Sequence, residues 1–166
     1  MARSTRRRTR RANVDVTETT FLPDILRKLE DLTKVEVHIG AAADQSGSQE
    51  IAMIAGVHEF GSTKMGIPAR SFIRSGKKKS QAAASKIAKA GVNEIVHGNE
   101  TARGLLEKMG VAALEKTIKN FERIRTPALS PIYAKRRSGS SKKILIQEAK
   151  LRDSLAYIIV PRGGQS

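Results

Sequence analysis

Apolar positions change their spacing several times along the chain, and each change marks a predicted element. Residues 1–20 show no apolar periodicity and are rich in Arg and Thr, so they are predicted to be a flexible basic arm. Leu22, Ile25, Leu26, Leu29 and Leu32 then fall on one helical face. Pro23 stands where a first-turn proline is tolerated, and Asp24 lies near the positive end of that helix. Val35, Val37 and Ile39 next alternate with Glu36 and His38, the pattern of a half-buried strand closed by Gly40. Residues 41–49 read as a loop. A short apolar helix is predicted over 50–60, with Gly61 suited to the left-handed position that ends it. Residues 62–66 are expected to be mobile, and Ile67-Pro68 to be extended, because proline pushes the residue before it out of the helical region.

Residues 77–125 read as long helix, broken or kinked at Gly98-Asn99. Its first part carries Ala84, Ile87, Ala88, Gly91 and Ile95. Its second carries Leu106, Met109, Ala113, Leu114, Ile118, Phe121 and Ile124, a wide apolar stripe at helical spacing. Pro127 and Pro131 are expected to end the helical region, and 135–143 to form an exposed basic loop. Residues 155–160 have apolar side chains on both faces, as a buried strand does, and Pro161 and Gly163-Gly164 stop it. The order of elements argues for an α+β fold, in which a small mixed or antiparallel sheet packs against one long and several shorter helices. The expected organisation is an arm at 1–20, one domain over 21–161 and a short tail at 162–166.

Charge adds what the pattern does not show. The 166 residues hold 31 Lys and Arg against 16 Asp and Glu, a formal net charge of +15. Arg3, Arg6, Arg7, Arg8, Arg10 and Arg11 crowd the first eleven residues, where there is no acid. Residues 12–60 hold three bases and nine acids, whereas 61–166 hold 22 bases and seven acids. An acidic first third and a basic remainder suit head-to-tail association between copies. The absence of Cys excludes a disulfide scaffold and a thiol nucleophile, and aromatic residues at 4% weaken the case for a single-strand surface of stacked rings. The apolar runs are too short to span a bilayer, and no apolar stretch follows the basic start, so neither a membrane partner nor a secretory signal is expected.

Catalytic chemistry finds no purchase. His38, His58 and His97 are scattered, and His58-Glu59 lacks the second histidine of a zinc-binding helix. The Gly56 to Gly61 spacing imitates a phosphate loop, but Ser62 stands where that loop needs Lys. Glu30 and Asp31 are neighbours that point in different directions from a helix, unlike a working acid–base pair. The expectation is therefore a protein that is not an enzyme, with no cofactor, no metal and no small-molecule substrate. The residues singled out for contacts with a partner are the six arginines of the arm; Ser62, Thr63, Lys64 and Met65; and Lys135, Arg136, Arg137, Lys142 and Lys143.

Residues 57–74, VHEFGSTKMGIPARSFIR, carry Glu59-Phe60-Gly61 and then Ile67-Pro68-Ala69-Arg70, Phe72, Ile73 and Arg74. Leu106 and Gly110 follow in an amphipathic helix, then Leu129-Ser130-Pro131, Leu145-Ile146 and 151–155. Together these resemble the tail-completion, or neck, proteins of long-tailed bacteriophages, a group that joins heads to tails or terminates tails. The chain departs from that pattern at Gln147-Glu148-Ala149, where the family often has Asp-Thr-Gly. The resemblance implies a structural virion protein that works in the tail or neck and is made in the bacterial cytoplasm. Its expected partners are further copies in a ring, the head-side connector or adaptor, and the tail tube or tail terminator; channel DNA is a further candidate. The alternative from composition alone is a small monomeric nucleic-acid-binding protein of ribosome- or chromosome-associated type. Within the 57–74 motif, Phe60 and Phe72 are expected in the core, with Glu59 and Arg70 as an ion pair.

Overall fold

The computed structural model describes residues 3–8, 15–41, 49–136, 145 and 150–163, with side chains from residue 20 onward. The first departure from expectation is at the start. Strands β1 (Arg3–Arg8) and β2 (Asp15–Thr20) pair antiparallel as a ribbon, in place of a flexible arm. Two features favour pairing. Residues 14–20 are rich in β-branched Val and Thr. The register sets Arg8 opposite Asp15 and Thr5 opposite Glu18, so like charges do not face each other at these two positions of the ladder.

Helix α1 (Leu22–Thr33) and strand β3 (Val35–Ala41) follow as the periodicity predicts. β3 pairs antiparallel with β4 (Leu155–Pro161), Val35 opposite Pro161 and Ala41 opposite Leu155, so a strand near the start is closed by one near the end. Arg162 N–H extends the pairing by donating to Lys34 O at 2.7 Å. β4 is less buried than its apolar sequence predicts. Leu155 is inside, yet Ile158 is 54% exposed, because a two-stranded sheet covered by helices on one side leaves its other side open.

Two long helices dominate: α3 (Phe72–His97), which follows α2 (Gln49–Phe60), and α4 (Ala102–Arg123). The predicted break is sharp. Gly98 is left-handed at φ +81°, and its N–H and that of Asn99 return to Ile95 O and Glu94 O. Thr101 then caps α4 by accepting from Gly104 N–H at 3.0 Å. α3 begins five residues earlier than expected, so Phe72-Ile73-Arg74 forms its first turn. Lys77, Lys78 and Lys79 consequently sit in its second turn rather than opening the helix against its dipole. Pro131 does not end a helix but opens α5 (Pro131–Arg136), its missing N–H harmless in a first turn. A four-residue helix, α6 (Lys150–Asp153), leads into β4.

The core lies where α3 and α4 cross near α2 and β4. Phe72 and Phe121 are almost fully buried and meet edge to face, centroids 5.0 Å apart and planes at 85°. Ala55, Leu145, Leu151 and Leu155 join them, with Ile73, Leu114, Ile118 and Ile124 packed alongside. Gly110 lets β4 approach α4. A methyl group there would sit 2.5 Å from the Tyr157 ring, so the small residue is needed for that approach. Among the described residues, no helix is long and apolar enough to cross a membrane.

Candidate interaction surfaces

The 57–74 motif folds as one unit, built from both ends. Gly61 N–H returns to Val57 O at 2.8 Å, ending α2, and Gly61 is left-handed at φ +79°. A side chain at Gly61 would be strained twice over, since its Cβ would lie 2.8 Å from Ala69 N and 3.0 Å from Ile67 O. Ser62 and Ile67 exchange both backbone hydrogen bonds, at 2.8 and 2.9 Å. Inside that bridge Gly66 N–H reaches Thr63 O, and Met65 N–H reaches Ser62 Oγ. The predicted mobile loop is thus a closed turn that holds Thr63, Lys64 and Met65 outward.

Glu59 and Arg70 are both 5% exposed, but they do not pair. The Glu59 carboxylate accepts from Ile73 N–H at 2.8 Å and Arg74 N–H at 3.0 Å, capping α3 from outside the helix. Ser71 Oγ donates to Glu59 O at 3.0 Å. Arg70 N–H donates to His58 O, while its guanidinium donates from Nε to Pro127 O at 2.8 Å and from Nη2 to Ala128 O at 3.0 Å. Glu59 therefore joins α2 to α3, and Arg70 joins the motif to the segment after α4. Each charge finds backbone partners of its own, which is why the expected ion pair does not form. Burial lowers the Arg70 pKa from the ordinary arginine value, without loss of charge near neutrality.

Phe60 also departs from expectation. Phe72 is in the core, whereas Phe60 is 73% exposed. Ala55 and Glu59 share the inward face of α2 at a spacing of four, which turns Phe60, one residue on, away from it. Sequence periodicity held this signal, although the apolar character of Phe60 concealed it. Pro68 follows Ile67, the bridge partner of Ser62, and is exposed.

Burial, and secondarily the Arg70 charge, lower the His58 pKa from 6.5. Its Nδ1 is buried without a hydrogen-bond partner among the described residues. The fold thus binds fewer protons at this site than the unfolded chain does, and stability should fall as pH drops below about 6.5. His58→Gln should remove that part of the acid sensitivity, read as a flatter melting temperature between neutral and mildly acidic pH.

The basic segments separate. Arg3, Arg6, Arg7 and Arg8 lie along β1, while Arg10 and Arg11 fall outside the described residues. Lys135 and Arg136 are exposed at the end of α5, and Arg137, Lys142 and Lys143 fall outside the described residues. Of the acids expected to face another copy, Glu59 is buried and Asp31 is paired with Lys34 at 2.8 Å. Among the described residues no group of three or more His, Asp or Glu side chains could hold a metal ion.

Apolar side chains are exposed on several elements. α1 buries none of its residues fully, and Leu22 and Leu26 are open to solvent despite its strongly one-sided pattern. Met53, Phe60 and Met65 are open as well. Beside Phe60 and the 62–67 turn lies a depression of about 540 Å³ that also touches Pro68 and Ala69. Comparison with protein-family models, with curated proteins and with solved structures found no match.

Proposed function

We propose that the chain is a structural virion protein of a tailed bacteriophage, without catalytic activity of its own. It forms a homo-oligomeric ring at the neck or tail top, and joins the tail tube to the head-side connector around the DNA channel. The observation that carries this reading is the outward presentation of Phe60 and Met65 from hydrogen-bonded backbone. The first ends a helix whose neighbouring Glu59 is locked in place, and the second sits in a turn closed by paired backbone bonds. Apolar side chains held open on an ordered frame are ready-made contacts for another protein, because covering them removes apolar surface from water at little further cost in chain entropy. The exposed leucines of α1 offer a second such face, and two different faces suit the heterologous contacts that close into rings.

Sedimentation of the purified chain tests this. The reading predicts a defined species at a large multiple of 18.1 kDa. Phe60→Ser with Met65→Ser should shift the chain toward monomer while changing stability by no more than about 0.5 kcal/mol, as exposed positions do. A chain that remains monomeric at every concentration and binds duplex DNA in that form would favour the small nucleic-acid-binding protein instead.

A further inference from the structure

A cavity of about 370 Å³ opens between the start of α3, the end of α4 and the segment following it. Arg70, Lys79, Arg123 and Arg125 all line it, and among the described residues no Asp or Glu does. Arg70 is buried with two neutral carbonyls as its side-chain partners, so a full positive charge sits at the cavity wall without a carboxylate to balance it. Lys79 is held by buried Asn120, whose Oδ1 accepts from Lys79 Nζ at 2.6 Å. The Asn120 amide is itself fixed by donating to Phe72 O and Ser75 Oγ. Arg123 has no side-chain ion pair or hydrogen bond among the described residues. Among the described residues Arg125 donates from Nη1 alone, to the carbonyls of Glu122 and Ile124.

Glu122, next to Arg123, and Glu59, beside the start of α3, are engaged elsewhere. The Glu122 carboxylate meets Arg152 at 3.6 Å, and the Glu59 carboxylate is held by the α3 amides. Four cations around one cavity, with no carboxylate among its described lining residues, match a phosphate group, whose oxygens accept several hydrogen bonds at once from guanidinium forks. The cavity has more room than one free phosphate fills. Lys119 and Lys116 precede Arg123 by four and seven residues on α4, so basic groups continue along the same side of the helix beyond it. No aromatic ring lines the cavity to stack on a base, so the contact would be to a backbone.

We propose that this cavity is a phosphate-binding site, and that its occupant is the phosphodiester backbone of duplex nucleic acid, read without regard to sequence. The site does not depend on ring formation, because every residue comes from one copy.

The test is fluorescence anisotropy of a labelled, mixed-sequence DNA duplex over a series of salt concentrations, using the full chain. Arg123→Ala with Arg125→Ala should weaken binding several-fold and lower the log–log salt slope by about 1.8, or about 0.9 for each phosphate left without its arginine. Lys86→Ala with Lys89→Ala, exposed and farther along α3, removes equal charge and should leave the slope closer to that of the parent. Thermal melts confirm that both variants fold. Equal losses in the two variants would mean diffuse attraction to a basic protein, and would overturn the site. A parent that does not bind duplex would overturn the nucleic-acid assignment. So would inorganic phosphate raising the parent's melting temperature, but not that of the arginine variant, while the DNA slope stays unchanged. A change in self-association alone would assign the cavity to a carboxylate of another copy and overturn the proposal. None of these readings requires a ring, so this inference and the neck proposal can fail separately.

Discussion

Phe72→Ala is expected to remove most of the stability of the protein. The ring is fully buried at the first turn of α3 and packs edge to face on Phe121. Truncating a buried Phe to Ala costs about 3–5 kcal/mol through lost transfer energy and the cavity left behind. Loss of the aromatic pair adds about 0.5–1.5 kcal/mol. Whole domains are stable by only about 5–15 kcal/mol, so the variant should be partly unfolded at physiological temperature. Urea denaturation gives the change directly. A loss below about 1.5 kcal/mol, far under the usual cost of such a truncation, would mean that the site collapses around the missing ring, or that Phe72 is not in the core.

The second large effect is expected from Glu59→Ala. That carboxylate is buried and takes two backbone N–H groups that α3 cannot satisfy within itself. Hydrogen bonds to a charged group contribute about 1.5–3 kcal/mol each, and water reaching the amide of exposed Arg74 would offset part of the loss of the two. The expected loss is about 2–4 kcal/mol, and a domain of this size loses about 2–4 °C in melting temperature per kcal/mol. Glu59→Gln keeps one oxygen acceptor and should recover part of the loss. An alanine variant within about 0.5 kcal/mol of the parent would show that the cap contributes nothing.

These two residues also show how far the sequence could be read. The alternation of Val35, Val37 and Ile39, the stripe from Leu106 to Ile124, and the stops at Gly61 and Gly98 are local signals, and the elements follow them. The role of Glu59 is not local. Its partners lie 14 and 15 residues ahead, across a turn whose path no spacing rule supplies, so its charge pointed toward Arg70 instead. Arg70 reaches carbonyls 57 and 58 residues away, which periodicity cannot anticipate. The basic cavity is hidden for the same reason. Lys79 and Arg123 are far apart in the chain and meet only because α3 and α4 pack side by side. The β1–β2 ribbon is hidden differently: its arginines draw attention from the β-branched residues that favour pairing.

Electron cryo-microscopy of the assembled particle encoded with this chain tests the neck proposal most directly. The account predicts a closed ring of copies at the head–tail junction, encircling the channel, with Phe60 and Met65 covered by a neighbouring protein. A complete particle with no copy at that junction, or a copy there with both side chains left in solvent, would contradict it.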